Sequence, residues 1–329
     1  MSGFTQVVIF LAILFSAFFL FFVENEETPT QLILVYETSL FISYENPDVH
    51  TIEEGAFFIN SKEVFFYSFS YEVYRKWSYS HSLENPIARL QNRVLYITEH
   101  LGYTFYKFNE EGLLSRKIYE HPIITFDAGV VALRTPFGYT VQSDNIKFTL
   151  TEAVPTIVST SEKMIGVSFL NVADNLFSSV AFYAPYLIGA TVFPRLVTNI
   201  YLKEEIAVIT FTDTILALNI QTNEIIWQKE KMLYSHIKDK TAIYNRGTLK
   251  IIETPSGQVL FEIYEYIDYL TAYDYFIFSA SGIVNALTKE GEFLWSYTPF
   301  HEVISVHLVK NLVMFKTPIE IRILTLKEV

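Results

Sequence analysis

The sequence predicts an all-β protein, a radial array of four-stranded blades behind one N-terminal transmembrane helix, and three observations predict it. The first is residue usage: 29 Phe and 22 Tyr, with many Val, Ile and Thr, in a chain of 329 residues that is 50% hydrophobic. β-Branched and aromatic side chains fit a pleated, half-buried surface better than a helix, and a chain this long can bury one large core or a repeat array. The second is patterning. From residue 31 onward, apolar runs of about four to eight residues alternate with turn signals, and no helical period is sustained. The third is repetition. ALNIQTNEIIW, IIETPSGQVLF and NALTKEGEFLW end on Trp227, Phe261 and Trp295, each aromatic standing 34 residues after the one before. In each unit an apolar strand enters a polar turn carrying Asn223, Gly257 or Gly291, and a second apolar strand ends on the ring. Asn and Gly tolerate the positive φ that a tight hairpin needs.

Taken in order, the chain opens on Phe4 to Val23, FTQVVIFLAILFSAFFLFFV, 20 residues without a charge. At about 1.5 Å per helical residue it crosses the roughly 30 Å hydrocarbon core of a bilayer. A cleavable signal peptide would have a basic start and small residues at its cut site. Here the small pair Ser16 and Ala17 runs straight into Phe18, Phe19 and Leu20, which favours an uncleaved anchor. Residues 1–24 are therefore read as the anchor, 25–30 as a short polar linker, and 31–329 as the β domain. No Lys or Arg precedes Lys62, and Glu24, Glu26 and Glu27 follow the span directly. That asymmetry places the domain outside the cytoplasm of a single-pass protein.

Residues 31–44, QLILVYETSLFISY, are strands without a unit of their own. Degenerate copies of the hairpin follow: YSFSYEVYRKW to Trp77, YKFNEEGLLSR to Arg116 with Gly112 in the turn, GYTVQSDNIKF to Phe148, and FLNVADNLFSS to Ser179. The wide interval after them reads as an insertion at Tyr183 to Thr198, a candidate contact loop. Strands such as Ala207 to Phe211 and Tyr275 to Ser279 precede the clear units and complete sheets of about four strands. The C-terminal HLVKNLVMFK and EIRILTL end before a full unit. Two incomplete ends predict one joint blade closed by pairing of the N- and C-terminal strands, which removes the exposed edges of a ring. Seven units and the shared one predict eight blades, with seven as the alternative.

The repeat resembles that of pyrroloquinoline-quinone-type β-propellers, in which an apolar-Ala-Leu-Asp strand, a Thr-Gly turn and a Val-Leu-Trp strand recur in each blade. The likeness is carried by ALNIQTNEIIW and its two echoes, over about residues 205 to 300. It implies a β-propeller and no particular chemistry. The quinone-dependent dehydrogenases of that superfamily are longer and hold a metal site and often a vicinal disulfide, whereas this chain has no Cys and no matching acidic cluster. The shorter relatives are non-catalytic, among them a membrane-tethered propeller that assists assembly of outer-membrane β-barrels. That tether is a lipidated cysteine, which this chain lacks, so the resemblance points to a non-catalytic branch with a different anchor.

The residues themselves predict no enzyme. His50, His81, His100, His121, His236, His301 and His307 are scattered without metal-ligand spacing. Asp127, in ITFDAGVVA, sits in a string like the strand-Asp-x-Gly loop of aspartic proteases, but Ala128 stands where those use Thr or Ser, and no second copy exists to form the dyad. No nucleophile elbow, P-loop or dinucleotide fingerprint occurs, so no catalytic, cofactor or metal residue is assigned. Trp77, Trp227 and Trp295 could stack on sugars, and their register in the repeat assigns them to the core. A formal net charge of −12 removes the electrostatic term on which nucleic-acid binding depends. Expected partners are the lipid bilayer, through residues 4–23, and other proteins. The expected function is a membrane-anchored scaffold or accessory subunit; the alternatives are an enzyme or small-molecule binder using the channel, and a structural surface component.

Overall fold

A computed structural model describes residues 32–41, 46–69, 73–143, 146–161, 163–171, 177–184 and 186–328. The predicted span at 4–23 and the linker at 25–30 lie outside the described residues, and among those described no helix is long and apolar enough to cross a membrane. The described residues form eight separate four-stranded sheets. Blades 1 to 7 occupy residues 48–80, 86–118, 123–150, 153–193, 199–230, 233–264 and 267–297, and within each the strands neighbour one another in chain order.

Blade 8 is the predicted joint blade. It takes three strands from 305–328, and its fourth is Leu32–Phe41, which pairs antiparallel with the C-terminal strand, Leu32 opposite Glu328 and Leu40 opposite Ile321. The ring is thereby closed by hydrogen bonds between the two ends of the domain. First strands meet around the axis: 48–52 lies against 305–309, 123–127 against 153–160, 153–160 against 199–203, and 233–237 against 267–272. Fourth strands accordingly form the circumference.

Because strands alternate in direction, the turns between first and second and between third and fourth strands share one rim, here called upper. Turns between second and third strands, and the connections from blade to blade, share the lower rim. Leu32 lies at the upper rim, since it faces Glu328 while Phe41 faces Glu320 beside the lower turn at 317–319.

The 34-residue repeat is a staple between blades. Asn223, Gly257 and Gly291 have φ of 58°, 71° and 93°, the left-handed region that the hairpin requires. Trp227, at the outer strand of blade 5, donates from Nε1 to the Thr254 carbonyl in the turn of blade 6 at 2.6 Å. A Cβ on Gly257 would fall 2.5 Å from Trp227 Cγ, and one on Gly291 would fall 2.5 Å from Phe261 Cγ. Trp77 Nε1 repeats the contact to the Glu110 carbonyl of blade 2 at 3.0 Å. Each turn thus accepts the ring of the blade before it, which only a residue without a side chain permits at Gly257 and Gly291. Apolar clusters fill the gaps between sheets: Val180 and Phe182 of blade 4 pack with Ile209 and Leu216 of blade 5, and Val49 of blade 1 packs with Ile323 of blade 8.

The structure corrects the reading of blade 4. FLNVADNLFSS does not form a third-to-fourth hairpin; it leads from the second strand, Ile165–Asn171, into the third, Ser178–Tyr183. The supposed insertion at 183–198 is the turn into the outer strand, Leu187–Phe193, and that strand itself. Pro185, Gly189 and Pro194 break its strand signal. Gly189 is there because a Cβ would meet the Ile220 carbonyl of blade 5 at 2.5 Å.

Candidate functional site

The ring leaves three surfaces where chemistry could occur: the inner strands, the upper rim and the lower rim. On the inner strands the fold brings His50 of blade 1 and His307 of blade 8 onto neighbouring walls. His307 Nδ1 lies 2.9 Å from the Tyr273 hydroxyl and Nε2 lies 2.7 Å from Ser305 Oγ. Burial drives its pKa down to about 3, with His50 and Lys316 adding to the shift. His236 of blade 6 stacks on Tyr201 with ring centroids 4.9 Å apart and shares a 2.8 Å hydrogen bond with Thr241 Oγ1. Burial pushes it down to about 4. Neutral imidazoles with hydroxyl partners are packing groups. His81, His100, His121 and His301 lie apart on lower-rim segments, and no group of three or more potential metal ligands occurs among the described residues.

Asp127 closes the first strand of blade 3. Burial raises its carboxyl pKa, while hydrogen bonds from the Thr160 amide at 2.7 Å and Thr160 Oγ1 at 3.0 Å oppose the rise. Gln91 of blade 2 accepts from the same Thr160 hydroxyl at 3.1 Å. The carboxylate therefore ties blade 3 to blade 4 beside a residue of blade 2, and it forms no acid dyad. Trp227 and Trp295 are 8% and 1% exposed, in keeping with a core role rather than sugar stacking.

The upper rim is rich in acidic turns, with Tyr186 and Leu187 of blade 4 also exposed on it. Its turns carry Glu53 and Glu54, Glu110 and Glu111, Glu204 and Glu205, and Glu290 and Glu292. Arg93 pairs with Glu54 at 2.5 Å and Glu110 at 3.1 Å across blades 1 and 2. Two cavities of about 560 and 670 Å³ open beside blades 2 to 5 and share the wall formed by Ser161, Lys163 and Met164. Gln91, Ser143 and Thr160 line the first; Glu204, Glu205 and Gln221 line the second. These walls offer hydrogen bonds and the ammonium groups of Lys163 and Lys203 but, among the described residues, no paired nucleophile and base.

The lower rim carries exposed apolar side chains at turn tips, among charged ones such as Glu84, Glu120, Arg246, Glu265 and Glu302. Phe137 between strands of blade 3 is 87% exposed, Phe300 between blades 7 and 8 is 83%, Tyr266 between blades 6 and 7 is 73%, and Ile319 in blade 8 is 54%. Leu101, Leu196 and Met232 add exposed side chains on the turns of blade 2 and the connections after blades 4 and 5. A cavity of about 550 Å³, with Asp268, Tyr269 and His301 in its wall, opens beside Phe300. These side chains stand at turn tips spread around the ring on one face. Sequence reasoning missed this rim. The available signal was three Thr-Pro-apolar turns, Thr135-Pro136-Phe137, Thr298-Pro299-Phe300 and Thr317-Pro318-Ile319, each ending on an exposed apolar side chain.

No protein-family model and no curated protein matches the chain. Solved structures match it in fold. BamB from Moraxella catarrhalis gives a TM-score of 0.56 at 10% identity, with 89% of this chain and 100% of that one covered. Sqt1 from Saccharomyces cerevisiae gives 0.59 at 10% identity, with 90% and 100% covered. BBS1N, solved in complex with ARL6DN, gives 0.52 at 11% identity, with 89% and 97% covered. Identities this low speak for a shared β-propeller fold alone.

Proposed function

We propose that the protein is a membrane-anchored, extracytoplasmic β-propeller that serves as a docking scaffold for other proteins, as an accessory subunit of a membrane or envelope complex. The observation that carries this reading is a rigid closed ring with bare apolar turns on one rim and no catalytic constellation among the described residues. A ring of this kind holds its loops at fixed spacing, so a partner meets a preformed surface. One structural neighbour, BBS1N, is itself seen in complex with another protein, ARL6DN. The anchor rests on the uncharged stretch from Phe4 to Val23, and the orientation on the acidic residues that follow it.

Fractionation of cells expressing the full chain tests the anchor: extraction by detergent, and not by salt or alkali, is expected, and protection of the domain from a cytoplasmic-side protease is expected from the orientation. Purification from the detergent extract tests the scaffold. A stoichiometric protein partner is the expected result; a lone monomer carrying a bound small molecule overturns it. That second outcome has its own motive in the upper-rim cavities lined by Gln91, Thr160 and Lys163.

A further inference from the structure

The two rims differ in chemistry, and the chain enters the ring at one of them. Leu32, the first described residue, lies at the acidic upper rim, because it pairs with Glu328. The apolar turns lie at the opposite end: Leu101, Phe137, Leu196, Tyr266, Phe300 and Ile319 come from segments spread around the whole ring. If Phe4 to Val23 crosses a bilayer, eight residues separate that span from Leu32. Fully extended they reach about 30 Å, which is about the length of the strand Leu32–Phe41 itself. The upper rim is then proximal to the bilayer. The lower rim could touch the same bilayer only with every linker residue stretched along the side of blade 8. A second copy anchored in the same membrane would present its lower rim in the same direction, so the two apolar faces could not oppose each other.

We infer that the lower rim is the docking face for a partner protein of different sequence, one that presents an apolar surface with recesses for aromatic side chains, on the side of the ring remote from the bilayer. This rests on the anchored-scaffold reading above. Phe137 and Phe300 are the anchors. Each stands on a Thr-Pro turn, where proline limits the backbone freedom that binding would otherwise remove. The recess beside Phe300, walled by Asp268, Tyr269 and His301, accepts a partner side chain in return. The upper rim differs in charge: its turns present Glu110, Glu111, Glu204, Glu205, Glu290 and Glu292, beside the exposed Tyr186 and Leu187 of blade 4.

The test uses the full chain in its native membrane, with a photo-crosslinking amino acid placed in turn at Phe137, at Phe300 and, on the upper rim, at Gln221. The expected result is one discrete adduct of the same mass from Phe137 and Phe300 and none of that mass from Gln221. The adducted protein is then purified and titrated against the full chain in nanodiscs. The paired substitution Phe137→Ser with Phe300→Ser weakens its binding at least tenfold while the melting temperature holds within about 2 °C. An adduct at twice the mass of this chain, adducts with lipid, or the same adduct from Gln221 each overturn the proposal. So does unchanged affinity in the paired variant. A chain that leaves the membrane in salt or alkali sinks the anchored reading; an integral chain without a lower-rim adduct sinks this inference alone.

Discussion

Trp227 and Gly257 offer the sharpest test of how the blades are joined. Truncating Trp227 to Ala removes a side chain that is 8% exposed and leaves the Thr254 carbonyl without its indole donor. Buried Trp-to-Ala changes cost about 3 to 5 kcal/mol. Gly257→Ala should cost on two counts. Its φ of 71° strains any residue with a Cβ by about 1 to 2 kcal/mol, and that Cβ would lie 2.5 Å from Trp227 Cγ and Cδ1, an overpacking worth about 1 to 3 kcal/mol more. Once Trp227 has been truncated, only the strain is left. The two changes should therefore be less than additive, by about 1 to 3 kcal/mol, because the second clash cannot occur without the first ring. Urea unfolding of the wild type, both single variants and the double variant, followed by circular dichroism, reads that coupling. Additivity within about 0.5 kcal/mol would refute the staple and, with it, the account of why the aromatic and the glycine recur together. Trp227→Phe separates the packing from the hydrogen bond: it keeps most of the ring and orphans the Thr254 carbonyl, for an expected cost of about 1 to 3 kcal/mol.

Other consequences follow from the same geometry. The imidazoles of His307 and His236 are held neutral by burial, with pKa values down to about 3 and about 4, whereas in the unfolded chain they titrate near 6.5. Between those values the unfolded chain binds protons that the ring refuses, so their contribution is intact above about pH 6.5 and declines as pH falls toward 4. Urea midpoints measured from pH 7 to pH 4 should fall, and His307→Gln should flatten the decline; a wild-type midpoint independent of pH contradicts this. Deleting residues 1–41 strips the fourth strand from blade 8, whose Leu32, Leu34 and Leu40 pack on the neighbouring clusters. The expected result is a melting temperature lower by roughly 10 °C or more, or association through the bared edge of 320–328, read by thermal melt and size-exclusion chromatography. By contrast, Phe137→Ser, on a side chain 87% exposed, should change stability by less than about 0.5 kcal/mol, and Phe300→Ser, which removes a cation–π contact with Arg322, by about 0.5 to 1 kcal/mol; a larger loss would mean that these turns belong to the frame.

What the sequence made legible was whatever has to repeat. The staple needs an aromatic ring and a residue of positive φ in each junction, and where both are explicit, at Trp227 with Gly257 and Phe261 with Gly291, the interval of 34 residues announces itself. The unpaired strands at the two ends of the domain likewise predicted the shared blade, since neither could bury its edge alone. Blade 4 was misread because its outer strand, Leu187–Phe193, uses Gly189 at the junction instead of the aromatic-and-glycine pair, with prolines at 185 and 194 on either side. A close approach to the Ile220 carbonyl is what demands that glycine, and a carbonyl of another blade leaves no trace in the local pattern. The lower rim was illegible for a different reason. A Phe after Thr-Pro has the same composition whether its ring turns inward or outward, and only the alternation of strand direction sends all three Thr-Pro-apolar turns to one face.

That alternation also explains why the two rims can differ so much without disturbing the ring. The staples run from outer strands to upper turns: Trp227 reaches the Thr254 carbonyl, Trp77 the Glu110 carbonyl, and Phe261 the face of Gly291. Upper turns that receive a ring are thus constrained by the blade before them. Lower turns join blades through the backbone instead: the Leu101 amide donates to the Ile123 carbonyl of blade 3 at 2.8 Å. Phe137 and Ile319 stand 87% and 54% exposed, while Phe300 lies under the Arg322 guanidinium at 5.1 Å and Tyr266 meets the buried Tyr244 ring edge-on at 6.4 Å; the surface these side chains leave exposed invites association. Apolar surface left bare at these tips costs solubility, which a bound partner would offset. The rim released from the staple is therefore where a partner should be sought.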